Sequence, residues 1–184
     1  FKNFKLKKKN NKIKKDLEII LNENNEILKS LGTNYKNKYS KKIIIKFRKY
    51  SNINVIGMGG SILGTESIYD FLKHKIKKNF SFNNNLQSKL KYSPKKKKAN
   101  IIVSKSGNTL ETISNSNIII KNKDKNIFIT ENQKSYLHLL ADKLKAEIVH
   151  HNNFIGGRYS VLSEVGMLPA ELMGLDVAKF KQLN

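Results

Sequence analysis

The chain has 184 residues, enough for one domain of ordinary size with a real core. It holds no cysteine and four histidines, against a disulfide framework or a clustered metal centre, and no run reaches the roughly 18 apolar residues of a membrane span. Its net charge of +22 comes from 36 basic and 14 acidic residues, but only Arg48 and Arg158 are arginine; lysine in the company of so much Asn and Ile reads as coding drift on solvated faces rather than as a nucleic-acid surface, which leans on arginine.

Residues 1–15, almost all Lys and Asn, predict a frayed or solvated edge. Asp16 to Leu31 has a helical apolar rhythm that stops at Gly32. Ile43–Ile45 with Phe47 fits either a short strand or a helical turn. A strand is expected over Ile53–Ile56, then a helix over Gly60–His74 with Ile62, Leu63, Ile68, Phe71 and Leu72 on its inner face. Phe80–Phe82 suggests a second strand, and the polar, Lys-rich stretch 83–98 with Pro94 a surface excursion. Strands then follow at Ala99–Val103, Asn126–Ile129 and Glu147–Val149, and helices at Thr109–Ile120 and Ser135–Leu144. From Tyr159 to Met173 the pattern is helical, with an interruption expected at Pro169. Strand, small-residue turn and helix in alternation predict an α/β fold: a doubly wound parallel sheet flanked by helices.

Three turns carry the chemistry. Ser104-Lys-Ser-Gly-Asn-Thr109 leaves a buried strand with three hydroxyls, a lysine and a glycine, just where helix-start amides and the helix dipole favour an anion. An ordinary N-cap needs one hydroxyl, so Ser104, Lys105, Ser106 and Thr109 are read as an anion-binding turn. Glu111 in the first helical turn suits either a capping role or a place at the edge of the site. Gly57-Met-Gly-Gly-Ser-Ile-Leu-Gly64 departs from a dinucleotide fingerprint, and no acidic residue is evident to hold a ribose, which disfavours a nicotinamide cofactor. Gly59, Gly60 and Ser61 can instead bring backbone amides and a hydroxyl to a sugar. Gly156-Gly-Arg158 places one of two arginines behind flexible glycines, where planar oxyanion contact suits Arg better than Lys.

The segments 57–64, 104–112 and 156–174, in this order and spacing, resemble the amino-terminal part of the glucose-6-phosphate isomerase family and, more broadly, a sugar isomerase (SIS) domain. The resemblance spans about residues 50–176; residues 1–50 and 81–98 add nothing to it. It implies that Ser104, Lys105, Ser106 and Thr109 hold a substrate phosphate, that Gly59, Gly60, Ser61 and Gly157 lie beside the sugar, that Arg158 stabilises an enediolate, and that Glu111 sits at the edge of the site. It implies an aldose–ketose isomerase needing no metal or organic cofactor, and a homodimer when full length; with no signal peptide visible, a cytoplasmic protein is the simplest reading, with neither a specific nucleic acid nor a membrane as partner.

The family's general base, ring-opening histidine and catalytic lysine fall in later parts of the protein, so His150, His151 and Glu164 are expected to be structural. Phe1 in place of Met, and a stop just after a helical pattern, suggest a piece of a longer chain. The expected division is a basic helical segment over 1–49, a first SIS domain over 50–155 and a helical segment over 156–184 leading to an incomplete second domain. The alternative reading is a non-catalytic SIS-type module that senses a sugar phosphate.

Overall fold

The computed structural model describes residues 10–23, 25–86 and 98–182. Most of the expected frayed edge and most of the excursion around Pro94 lie outside the described residues. Five strands form one all-parallel sheet: β1 (Asn52–Gly57), β2 (Asn79–Asn83), β3 (Lys98–Val103), β4 (Lys125–Thr130) and β5 (Glu147–His150), in the order β2-β1-β3-β4-β5. The chain winds outward in opposite directions from β1 and β3, so the switch point lies between them.

Both faces of the sheet are covered, which is why its strands read as short continuous apolar runs. Ile53, Val55, Ile101, Val103, Ile127, Ile129 and Val149 point to one face, under α3 (Lys41–Arg48), α4 (Leu63–Leu72) and α7 (Glu164–Leu172). Ile56, Ile102 and Phe128 point to the other, under α5 (Leu110–Ile119) and α6 (Tyr136–Lys143). This is the doubly wound three-layer arrangement expected of the sequence.

Several local expectations are corrected. The region 16–31 is not one helix but two, α1 (Asn11–Asn22) and α2 (Glu26–Leu31), because Asn25 accepts a hydrogen bond from the Ile27 amide at 2.8 Å and caps a new start. Ile43–Phe47 is helical, with Ile43, Ile44 and Phe47 buried and Ile45 turned to solvent. In α4 the buried face is Thr65, Ile68 and Tyr69, whereas Leu63 and Phe71 are 52% and 80% exposed. A 3-10 turn, Gly59–Ser61, precedes α4 and sets its phase, so positions 63, 67 and 71 form an outer line.

Pro169 does not interrupt α7. Proline offers no N–H to the carbonyl four residues earlier, here Val165. Thr65 of α4 supplies the missing donor, its hydroxyl reaching the Val165 oxygen at 3.2 Å. Val165 and the residues 167–170, 172 and 173 are buried against the chain's own core, so this stretch is covered without any further segment.

Candidate active site

The pairing of Gly57 with Val103 sets the turns after β1 and β3 side by side at the carboxyl edge of the sheet, on either side of the switch point. Crevices at this place are where open α/β sheets bind ligands. Three of the candidate segments converge on this edge in two groups.

The turn after β3 is built around Gly107, whose φ of +68° favours glycine and whose missing Cβ would fall 2.1 Å from the Ser135 hydroxyl. Ser104 is 2% exposed; its hydroxyl lies 2.9 Å from that of Thr109 and accepts from the Gly107 amide at 3.2 Å. It shapes the turn from within. Ser106 is exposed and accepts from the Asn108 amide at 3.2 Å, which leaves its own proton to donate outward. Thr109 stands at the N-cap of α5 without making a capping bond. The first amides of a helix have no partner within it, so the start of α5 is open to an anion. Lys105 does not face this opening: its ammonium donates to the Asn153 carbonyl at 2.5 Å and lies 3.4 Å from the Glu131 carboxylate. Glu111 is half-buried in the first turn of α5 and, among the described residues, makes no ion pair.

The second group joins the turn after β1 to the 3-10 turn Gly157–Leu162. A Cβ on Gly60 would sit 2.3 Å from the Gly157 carbonyl carbon, so only glycine lets these backbones touch. The Ser160 hydroxyl spans the contact, 3.2 Å from the Gly60 oxygen and 2.8 Å from that of Gly157. An open cleft of about 1130 Å³ runs past them, lined by Gly59, Gly60, Gly157, Arg158 and Tyr159, with Leu63, Phe71 and Phe180 as apolar walls. Arg158 is exposed and, among the described residues, its guanidinium has no hydrogen-bonding or ionic partner. Ser61 is half-buried; neither it, Glu111 nor the 104–109 turn lines this cleft.

The apolar walls escaped the sequence reading, although the spacing 63, 67, 71 is a helical line that could have signalled them. A second feature also escaped it: His151 and Glu164 meet in a buried pair, while the His150 ring stacks on that of His138, centroids 6.0 Å apart. Among the described residues no three His, Asp or Glu gather as metal ligands, and no helix is long and apolar enough to cross a membrane.

A doubly wound parallel sheet covered by helices on both faces defines a three-layer α/β domain. Solved structures share that fold: a hypothetical protein from Thermus thermophilus (TM-score 0.66, 19% identity, 91% of this chain and 44% of that one) and tagatose-6-phosphate ketose/aldose isomerase from Escherichia coli (TM-score 0.58, 17% identity, 77% and 44%). The chain belongs to the phosphoglucose isomerase family, whose model matches residues 5–183 and so reaches well beyond the motif blocks, into the stretches that carry no motif. It is 38% identical over 148 residues to the glucose-6-phosphate isomerase of Methanocaldococcus jannaschii, covering 71% of this chain and 35% of that protein. To that of Acholeplasma laidlawii it is 36% identical over 146 residues, covering 69% and 34%. The chain thus spans about a third of the length of these curated relatives.

Proposed function

We propose that the carboxyl edge of this sheet binds a sugar phosphate and that the chain is part of a glucose-6-phosphate isomerase, interconverting glucose 6-phosphate and fructose 6-phosphate. The observation that supports this most is the start of α5: an uncapped helix N-terminus beside an outward-facing serine, at the switch point of the sheet. The phosphate accepts from the first amides of α5 and from Ser106, while Ser104 and Thr109 hold the turn in shape. Gly59, Gly60 and Ser61 lie against the sugar, with Gly157 packed behind them.

The reaction opens the pyranose ring and moves a proton between C2 and C1 through a cis-enediolate. Negative charge develops on the enediolate oxygens, and a guanidinium with no partner of its own is suited to receive it. Arg158 takes that role. Glu111, near enough to α5's start to bias its field, acts at the margin of the site. None of the described residues is assigned as the general base, the ring-opening acid or a catalytic lysine. We infer also that the whole protein works as a cytoplasmic homodimer, without a metal or organic cofactor, and that the chain divides into a helical segment over 1–49, an SIS domain over 50–155 and a connecting segment over 156–184.

The test is an isomerase assay on the protein expressed from its complete reading frame, with glucose 6-phosphate formation from fructose 6-phosphate coupled to NADPH production. Activity that is lost on Arg158→Ala supports the reading. A folded, complete protein that binds the sugar phosphate without isomerising it overturns it in favour of a sensor.

A further inference from the structure

The loop that carries Arg158 begins and ends at one buried side-chain contact. His151 follows β5 and Glu164 opens α7, thirteen residues on. Nδ1 of His151 lies 2.7 Å from Oε1 of Glu164, and the two side chains are 2% and 0% exposed. The other ring nitrogen, Nε2, lies 3.0 Å from the Ile155 carbonyl oxygen. A carbonyl oxygen only accepts, so Nε2 carries a proton.

Glu164 accepts on both oxygens as well. Oε1 takes the Asn152 amide at 3.3 Å and Oε2 the Tyr35 hydroxyl at 3.0 Å. The Glu164 carboxyl so placed faces Nδ1 of His151 inside the fold, and the contact joins the two ends of the loop. Burial alone would raise the Glu164 carboxyl; the hydrogen bonds from His151 and from its own backbone, the His151 charge and the Tyr35 hydroxyl outweigh burial and hold it below the usual carboxylate range. Burial first, then the Glu164 charge and hydrogen bond, push the Tyr35 phenol above its ordinary value.

The remaining charged and titratable neighbours come from two other elements. Lys38 donates to the Asn152 side chain at 2.6 Å, and the Lys181 ammonium lies 4.4 Å from the centre of the Tyr35 ring. Tyr39 donates to Glu171 of α7 at 3.0 Å. Each helps to fasten the segment before α3 or the end of the chain to the same point.

We propose that His151 and Glu164 are positioning residues for Arg158: their buried pair clamps both ends of a loop whose turn rests on Gly60 through Gly157 and Ser160, and so presents the guanidinium to the cleft. What Arg158 does there rests on the isomerase reading. That the pair holds the loop does not.

The experiment uses the 184-residue chain and its Glu164→Gln variant, with NMR and fructose 6-phosphate as the probe. In the parent, the amides of residues 156–159 are rigid, with order parameters of about 0.85. In Glu164→Gln the same amides fall toward about 0.6, while β1, β3 and α5 stay unchanged. Fructose 6-phosphate binding weakens by about tenfold as the loop loses its pose. Equally rigid 156–159 amides in the variant overturn the proposal. Should Glu164→Gln fail to fold, His151→Gln removes the pair from its other side. More mobile 156–159 amides support the proposal, and unchanged ones overturn it. If the parent binds no sugar phosphate, the isomerase reading fails, and loop rigidity still decides this one.

Discussion

The amino half of the sheet and its carboxyl edge use polar residues in opposite ways. In the amino half, Asn54, Asn100 and Asn126 stand in register on β1, β3 and β4. Asn54 donates to Asn100 at 2.8 Å; Asn100 donates to Asn126 at 2.8 Å and to Asp124 at 3.2 Å. These amides answer one another inside the fold, and a slip of one residue would leave them unmatched in the interior. At the carboxyl edge the start of α5 is uncapped, Ser106 points outward and Arg158 lacks a partner among the described residues. Polar groups that are closed on themselves specify register; polar groups left open remain free to meet a ligand. The two halves should therefore respond differently to the same kind of substitution.

The sharpest contrast is expected at Arg158. In the complete protein, Arg158→Ala should cost about 3–4 kcal/mol of transition-state stabilisation, the loss of an oxyanion donor. Urea unfolding should barely move. Lost stability with activity kept would place Arg158 among the structural groups instead. The converse substitution is Asn100→Ala, which strands the amides of Asn54 and Asn126 in the interior. It should lower the unfolding free energy by about 2–3 kcal/mol without altering sugar-phosphate affinity of the folded molecules, as calorimetric titration would check.

Within the carboxyl edge, Ser106→Ala should weaken fructose 6-phosphate binding by about 1.5 kcal/mol. Lys105→Ala should cost less than about 1 kcal/mol, because its ammonium is engaged by Glu131 and the Asn153 carbonyl. Equal losses would mean that Lys105 leaves those partners when the ligand arrives. The smallest effect concerns acid. The Glu164 carboxyl is held below its usual range in the fold, so its contribution is complete above the unfolded pKa of about 4.3 and is lost as pH falls through the lower native value. Urea midpoints followed downward from about pH 5 should decline less steeply in Glu164→Gln than in the parent.

The sheet was largely legible in the sequence because parallel strands buried on both faces leave continuous apolar runs such as Ala99–Val103. The turns themselves were legible for a related reason: glycines that adopt positive φ, Gly59 and Gly107, follow the apolar runs of β1 and β3. What failed depended on partners distant in sequence. Leu63 and Phe71 look like core residues until the 3-10 turn before α4 fixes the helix phase and exposes them. Pro169 looks like a break until Thr65, a hundred residues earlier, supplies the donor it lacks. His151 and Glu164 are separated by the very loop they hold, and nothing local announces their contact. The order β2-β1-β3 likewise follows from crossover packing, which leaves no mark on any single strand.

The most direct test of the central claim is an NMR titration of the chain with fructose 6-phosphate at physiological salt. The account predicts saturable shifts at the amides of residues 106–112 and 59–61 together, abolished or weakened by Ser106→Ala. Shifts scattered over the lysine-rich surface that vanish as salt is raised, or none at either turn, would contradict it.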